Sequence, residues 1–330
     1  MRHKDTKGDF GKNRRPGFEK TRGNSEKKPE RPGGHKAGGK PGFKAGFKAG
    51  PKPSSKPGFK PGPHPGSSPG SKQGKPVRSD RPQTGDNRLS GGQWLYGLHA
   101  VKAALANPRR KLGRAVLTPR AAEIIGEKLL QRVRVEIMEP GAIDRMLPPG
   151  AVHQGAALEA SPLKSHDLDE VLAQNHGGRR VILVLDQLSD PHNVGAILRT
   201  ASAFGVTAVM VQDRHGPPQS GALAKAASGA LDLIPYIEVV NISRALDQLA
   251  ERGFWRIALA GDGDTSLAQA VPAGDVALVL GSEGDGIRRL VREHCEASAF
   301  IPIDRSVESL NVSNAAAIAL YELRRAGTSA

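Results

Sequence analysis

The 330-residue chain is long enough for about two domains, and its formal net charge of +15 is unevenly placed. Residues 1–90 hold 23 of the 48 Lys and Arg but only 7 of the 33 Asp and Glu, so the remainder, with 25 against 26, is nearly neutral. One cysteine, Cys295, excludes an intramolecular disulfide framework and fits a reducing compartment.

No 18-residue apolar run is present to span a membrane. The N-terminus has neither the apolar core of a secretory signal nor the composition of a transit peptide. These features predict a cytoplasmic protein.

Residues 1–90 contain no Ile, Trp or Tyr and are dense in Gly, Pro, Lys and Arg. Such a segment buries too little apolar surface to offset chain entropy, which predicts a disordered basic tail. The triplet GFK recurs at Gly42–Lys44, Gly46–Lys48 and Gly58–Lys60. Lysines beside isolated phenylalanines suit phosphate contact plus base stacking. A solubilising extension without a ligand would look the same, but the charge favours a polyanionic partner.

Residues 91–163 read as a small α/β unit. Helical spacing covers 97–106 and 121–133, and strands are expected at 114–118, 133–138 and 156–160. Residues 164–178 read as a linker, ending in the turn-forming cluster Asn175-His176-Gly177-Gly178.

From 179 to 330 strands and helices alternate. The strand candidates are 181–186, 207–212, 233–239, 255–260, 275–281 and 299–303; helices are expected around 193–204, 220–230, 242–252, 286–294 and 313–325. Continuous apolar strands separated by helices predict a largely parallel sheet covered on both faces. Ligands on such sheets sit beyond the carboxyl ends of the strands.

Three strand ends carry polar clusters. The first is DPHNVGAILRTASAFG, Asp190–Gly205, where Val194, Ile197, Leu198, Ala201 and Phe204 form one apolar stripe and Arg199 projects elsewhere. Asn193 reads as a helix cap or as a site residue, and Arg199 as a surface cation or as a catalytic one.

The second is VLGSEGDGIRR, Val279–Arg289, where Gly281, Gly284 and Gly286 flank Glu283. Glycines there permit unusual backbone angles and a close approach to main-chain amides. The pattern is not the dinucleotide fingerprint.

The third is SLNVSN, Ser309–Asn314, ahead of an Ala-rich helix. Ser313 or Asn314 suffices as a cap, so four small polar residues in six positions also suit a polar lining.

In this order, DPHNVGAILRTA, LVLGSEGDGI and IPIDRSVESLNVSNAAAIALYE resemble the three signature motifs of the SpoU (TrmH-like) family of RNA 2′-O-ribose methyltransferases, within the SPOUT class. YGLHAVKAAL (Tyr96–Leu105) and VHQGAALEA (Val152–Ala160) resemble the start and end of the small domain found in the bacterial 23S rRNA guanosine 2′-O-methyltransferase subgroup. The likeness runs from about Trp94 to Arg325, and the basic tail departs from it.

The resemblance implies an α/β-knot methyltransferase domain preceded by a ribosomal-protein-like RNA-binding domain. It implies S-adenosylmethionine as cofactor, no metal, a homodimer, and structured RNA as substrate, with a 23S rRNA guanosine first and a tRNA ribose as the alternative. Carried over by position, it assigns Asn193, Arg199, Glu283, Ser309 and Asn311 to catalysis, and Gly281, Ile301 and Leu310 to the cofactor. A non-catalytic RNA-binding assembly factor is the competing class. An α/β nucleotide-binding protein unrelated to RNA is disfavoured by the tail and by the missing phosphate-binding fingerprints.

Methyl transfer to a ribose hydroxyl needs in-line alignment and stabilisation of charge developing on oxygen. A guanidinium suits the second task, because it can address a sugar oxygen and a neighbouring phosphate together. Guanidinium groups hold their protons, so a phosphate oxygen or water is the better proton acceptor. His192 is the alternative base, since imidazole titrates near neutrality.

The near-neutral charge of 91–330 is unusual for an RNA enzyme. The stretches Arg109-Arg110-Lys111 with Arg114, and Arg288-Arg289 with Arg292, read as RNA contacts or as solvated surface. Deleting residues 1–90 is expected to weaken nonspecific RNA binding and to flatten its salt dependence, measured by titration at several salt concentrations. An unchanged slope refutes that role for the tail.

Overall fold

The computed structural model describes residues 92–174, 177–304 and 306–328. The tail read over 1–90, and Asn175 and His176 of the linker, lie outside the described residues.

The chain builds two sheets. The first holds β1 (Gln93–Tyr96), β2 (Leu112–Leu117), β3 (Arg134–Ile137) and β4 (Ala156–Ala160) in the order β1-β4-β2-β3. β4 runs antiparallel to β1 and β2, and β3 is parallel to β2. Its helices are α1 (Leu98–Ala106), α2 (Pro119–Ile125), α3 (Glu127–Leu130) and α4 (Pro140–Asp144). The single helix expected over 121–133 is broken at Gly126, whose φ of 88° belongs to a glycine turn. The short helix α5 (Leu168–Leu172) follows, capped by Asp167.

The second sheet begins with β5 (Val181–Leu185), α6 (Pro191–Ala203), β6 (Ala208–Gln212), α7 (Gly221–Ala226), β7 (Tyr236–Val239) and α8 (Ile242–Glu251). It continues through β8 (Trp255–Leu259), the two-residue β9 (Thr265–Ser266), α9 (Leu267–Ala270), β10 (Val276–Leu280), α10 (Arg289–Glu293), β11 (Ala297–Phe300) and α11 (Val312–Thr328). All seven strands are parallel, in the order β7-β6-β5-β10-β8-β11-β9. β5 and β10, each an unbroken apolar run, lie side by side at the centre, with Val181 opposite Val276 and Leu185 opposite Leu280. From β5 the chain first builds outward to one side, then crosses back to fill the other. The crevice beyond the ends of β5 and β10 is therefore the topological switch point, where open parallel sheets hold ligands.

Several expected elements are shorter than their apolar pattern. The helix read over 220–230 stops at Ala226, because Ser228 and Gly229 turn with φ of 52° and 95°. A 3-10 turn, Ala230–Asp232, then delays β7 to Tyr236. The helix read over 286–294 begins only at Arg289, because Ser282 and Gly286 exchange two backbone hydrogen bonds of 3.1 Å and hold that segment as a turn.

The two sheets share one continuous apolar core. Leu95, Val101, Leu105 and Leu158 of the first join Leu183, Ile197, Leu198 and Leu223 of the second in a single buried cluster. Gly221 lets α7 approach β1: a Cβ there would stand 2.4 Å from the Trp94 carbonyl oxygen.

Arg110 and Asp232 form an ion pair whose side chains are 0% and 2% exposed. Arg110 Nε and Nη2 donate to the two Asp232 oxygens at 2.9 and 2.8 Å, and Asn107 adds a third donor at 3.0 Å. Arg110 Nη1 also donates to the Ser161 carbonyl at 3.0 Å.

Arg110 and four more of the basic side chains in these stretches are paired within the chain, while Arg109 and Lys111 are exposed. Arg114 pairs with Glu136 at 3.0 Å and lies over the Trp94 ring, Arg288 pairs with Asp186, Arg289 with Glu293, and Arg292 with Asp262.

Removing one partner of a buried pair strands the other charge, at a cost of about 3–5 kcal/mol, whereas replacing both by apolar groups is near neutral. Denaturant unfolding should show that loss in Arg110→Met and recovery of most of it in Arg110→Met/Asp232→Leu. Equal losses in both variants would contradict the pairing.

Candidate active site

α6 starts earlier than its apolar stripe indicates. Asp190 is the N-cap, accepting from the backbone N–H of His192 and Asn193 at 3.1 and 3.2 Å, and Pro191 fills the first helical position. Asn193 is therefore not the cap. It stands in the first turn with its amide free to leave the helix. Val194, Ile197, Leu198 and Ala201 form the buried face as expected, while Phe204 is only partly buried.

The loop after β10 folds back on itself. A Cβ on Gly281 would lie 2.1 Å from the Gly286 carbonyl carbon, and Gly284 and Gly286 take φ of 95° and 68°. The close approach predicted for these glycines is to the loop's own backbone. Its tip presents Glu283, whose Oε1 accepts from Asn193 Nδ2 at 3.1 Å, Asn311 Nδ2 at 2.6 Å and the Val312 N–H at 3.3 Å.

Asn311 Nδ2 also donates to Asn193 Oδ1 at 3.1 Å, which closes a triangle of three side chains from three separate strand ends. Asn311 does a second job. Its Oδ1 accepts from the Ser313 N–H at 2.9 Å and its carbonyl from the Ala315 N–H at 3.0 Å, so Asn311 caps α11, in place of Ser313 or Asn314. The helix N-terminus in turn favours the Glu283 carboxylate.

Next to the triangle lies a cavity of about 540 Å³, within the usual range for small-molecule sites. Its lining comes from the ends of β8 (Leu259–Asp262) and β10 (Leu280–Ile287), from Ile301 and Ile303, and from Glu308–Leu310 and the start of α11. Gly281, Ile301 and Leu310, the candidate cofactor contacts, all line it, as do Glu283 and Ser309. Asn193 and Asn311 reach it through Glu283.

At the rim, Arg292 Nη1 donates to both Asp262 carboxylate oxygens, at 3.0 and 2.8 Å, and holds that carboxyl below the usual range. Apolar walls with carboxylates and main-chain groups suit an adenosine moiety carrying a cationic tail, so the residues present fit S-adenosylmethionine.

Arg199 stands apart from this assembly. It is exposed, does not line the cavity, and its side chain makes no hydrogen bond or ion pair with a described residue. Six residues beyond Asn193, it is displaced about 9 Å along α6 and about 120° around it. His192 is exposed and offers only its backbone N–H to the Asp190 cap. Burial pushes the Cys295 thiol up to about 12, which leaves it an inert packing group.

One pairing near the site was not anticipated, since Arg288 reads in the sequence as an RNA contact or as solvated surface. Asp186 and Arg288 form an ion pair at the base of the Glu283 loop. The signal in the sequence was an aspartate directly after five apolar residues; its partner lies 102 positions away and left no local trace.

Residues 180–321 match the SpoU rRNA Methylase family, and residues 94–166 match the RNA 2′-O ribose methyltransferase substrate binding family. The chain is 39% identical over 241 residues to the 23S rRNA (guanosine-2′-O-)-methyltransferase RlmB of Vibrio parahaemolyticus, covering 71% of this chain and 96% of that protein. It is 40% identical over 245 residues to RlmB of Xylella fastidiosa, covering 72% and 97%. This chain belongs to the SpoU family.

Solved methyltransferase structures share the fold at lower identity. The methyltransferase AviRb from Streptomyces viridochromogenes, in complex with AdoMet, matches with a TM-score of 0.59 and 20% identity over 71% of this chain and 90% of that one. An AdoMet-bound rRNA methyltransferase from Sinorhizobium meliloti matches with a TM-score of 0.60 and 23% identity over 71% and 87%.

Proposed function

We propose that this SpoU protein transfers a methyl group from S-adenosylmethionine to the ribose 2′-oxygen of a guanosine in 23S rRNA, in the bacterial cytoplasm. The observation that carries the reading is the closed Asn193–Glu283–Asn311 triangle beside a cavity lined by Gly281, Ile301 and Leu310. RlmB proteins, with that activity in their names, are similar over nearly their whole length.

The cofactor supplies a methyl group already activated by the sulfonium charge. The chain has to align it with the sugar and favour charge on the oxygen. Asn193 and Asn311 hold Glu283 in one orientation, and Glu283 and Ser309, both on the cavity wall, orient the ribose. Arg199 stabilises the developing alkoxide, and a phosphate oxygen or water takes the proton.

The reading includes a homodimer. It is supported by an unpartnered stripe on α11, where Ile318 and Tyr321 are 43% and 58% exposed, and Tyr321 stands edge-on to Phe204 of α6. A second copy covering this face would also meet the C-terminal end of α6 at Phe204. The reading also takes the C-terminal segment as threaded through a loop to form a knot, and the bonds that Asn311 and Val312 make to the β10 loop support it. Residues 91–163 present the RNA, 164–178 connect, and 179–330 perform the transfer.

Mapping 2′-O-methylation in total RNA with and without the protein should reveal one added guanosine mark in 23S rRNA. A mark in tRNA alone overturns the substrate, and no mark in any RNA overturns the enzymatic reading. Arg199→Ala should lower kcat by about 10²–10³-fold, with Arg199→Lys retaining a measurable fraction. A Lys variant as inactive as Ala would contradict a simple charge role.

A further inference from the structure

We propose that Asp186 and Arg288 are positioning residues: their ion pair, in which the Asp186 carboxylate is fully buried, holds the loop 281–288 in the register that brings Glu283 to Asn193 and Asn311 and turns its main chain toward the cavity. The inference rests on the methyltransferase reading above, and it concerns a pair that touches neither the cavity nor the triangle.

Asp186 is the first residue beyond β5 and is 0% exposed. Its N–H donates to the Leu280 carbonyl at 2.8 Å, which extends the β5–β10 ladder by one step. Both carboxylate oxygens are taken by a single residue. Oδ2 accepts the Arg288 backbone N–H at 2.9 Å; Oδ1 accepts Nε at 2.8 Å and lies 2.6 Å from Nη2. Arg288 Nη2 also reaches Gln212 Oε1 at 3.1 Å, and Gln212 Nε2 donates to the Val240 carbonyl at 3.2 Å. The guanidinium is thus gripped from the ends of β5 and β6 together.

An ion pair with its carboxylate buried and its guanidinium 37% exposed adds little net stability. What it gives is geometry. Arg288 is the last residue of the loop, immediately before α10. Gly281 anchors the other end, where the backbone of Gly286 and Ile287 presses against it. With both ends fixed, the glycine-rich tip has one way to present Glu283. Released at Arg288, the same glycines would let the tip wander, and the triangle would have to order it alone. The two attachments also link the same pair of strand ends twice, Asp186 to Arg288 at the base and Asn193 to Glu283 at the tip.

The test uses the full chain and its Arg288→Ala variant, with S-adenosylmethionine binding by calorimetry, RNA binding by titration, and amide hydrogen exchange. The variant should bind S-adenosylmethionine between about 10- and 100-fold more weakly and lose up to about 10²-fold in kcat. RNA affinity should stay at the parent's level. Exchange should quicken at 282–287 and not in β10.

Arg288→Lys, which keeps the charge but cannot span Asp186 and Gln212 together, should fall between. Should Arg288→Ala fail to fold, Asp186→Asn/Arg288→Gln leaves no buried charge stranded and carries the same expectations. Parental cofactor affinity with unchanged loop exchange, in a folded variant, overturns the inference. A parent chain that binds no S-adenosylmethionine overturns the methyltransferase reading instead, and loop exchange in the variant still decides whether Arg288 fixes the loop.

Discussion

One carboxylate oxygen holds the site together. Glu283 Oε1 accepts hydrogen bonds from Asn193, from Asn311 and from the backbone N–H of Val312, which come from α6 and from the start of α11. Bonds to an ionised acceptor are stronger than neutral ones, and here the acceptor also faces the N-terminus of a 17-residue helix. Each surrounding feature serves that meeting. The Asp190-Pro191 start shifts α6 so that Asn193 falls in its first turn. The glycines fold the β10 loop tightly enough to raise Glu283 from its tip. Asn311 caps α11 with its oxygen while its nitrogen serves the triangle.

The frame around the site is built for fixed geometry. An all-parallel sheet with apolar central strands tolerates little slippage, because each strand is buried on both faces. The first sheet is fused to it through a common core and the buried Arg110–Asp232 pair. The arginines that look most like an RNA-binding surface are largely used to fix loops and sheets against one another. In this nearly neutral body Arg109, Lys111 and Arg289 stay exposed, and the basic residues 1–90 are the richest further source of positive charge in the chain.

The strands were legible because continuous apolar runs allow few alternatives, and the switch point followed from their alternation with helices. Helix ends were less so. The break at Gly126 and the turn at Ser228 and Gly229 depend on backbone angles that residue type permits without demanding. Asn193 reads as a cap or as a site residue, and Asn311 as a site residue ahead of a cap at Ser313 or Asn314. In the structure Asn311 is the cap of α11 and a member of the triangle, and Asn193 belongs to the triangle alone. Asp186–Arg288 and Arg110–Asp232 join positions 102 and 122 residues apart, and no local pattern announces such pairs. Arg199 owes its candidacy to its place in a family motif; within one chain it stays outside the triangle.

If the triangle acts as one unit, its members are not independent contributors to the reaction. The most direct measurement is a double-mutant cycle on kcat with Asn193→Ala, Glu283→Ala and the pair together. The account predicts that the double variant is no slower than the worse single variant, because either change already undoes the shared arrangement. Losses that multiply would mean that the two residues work separately, and would contradict it.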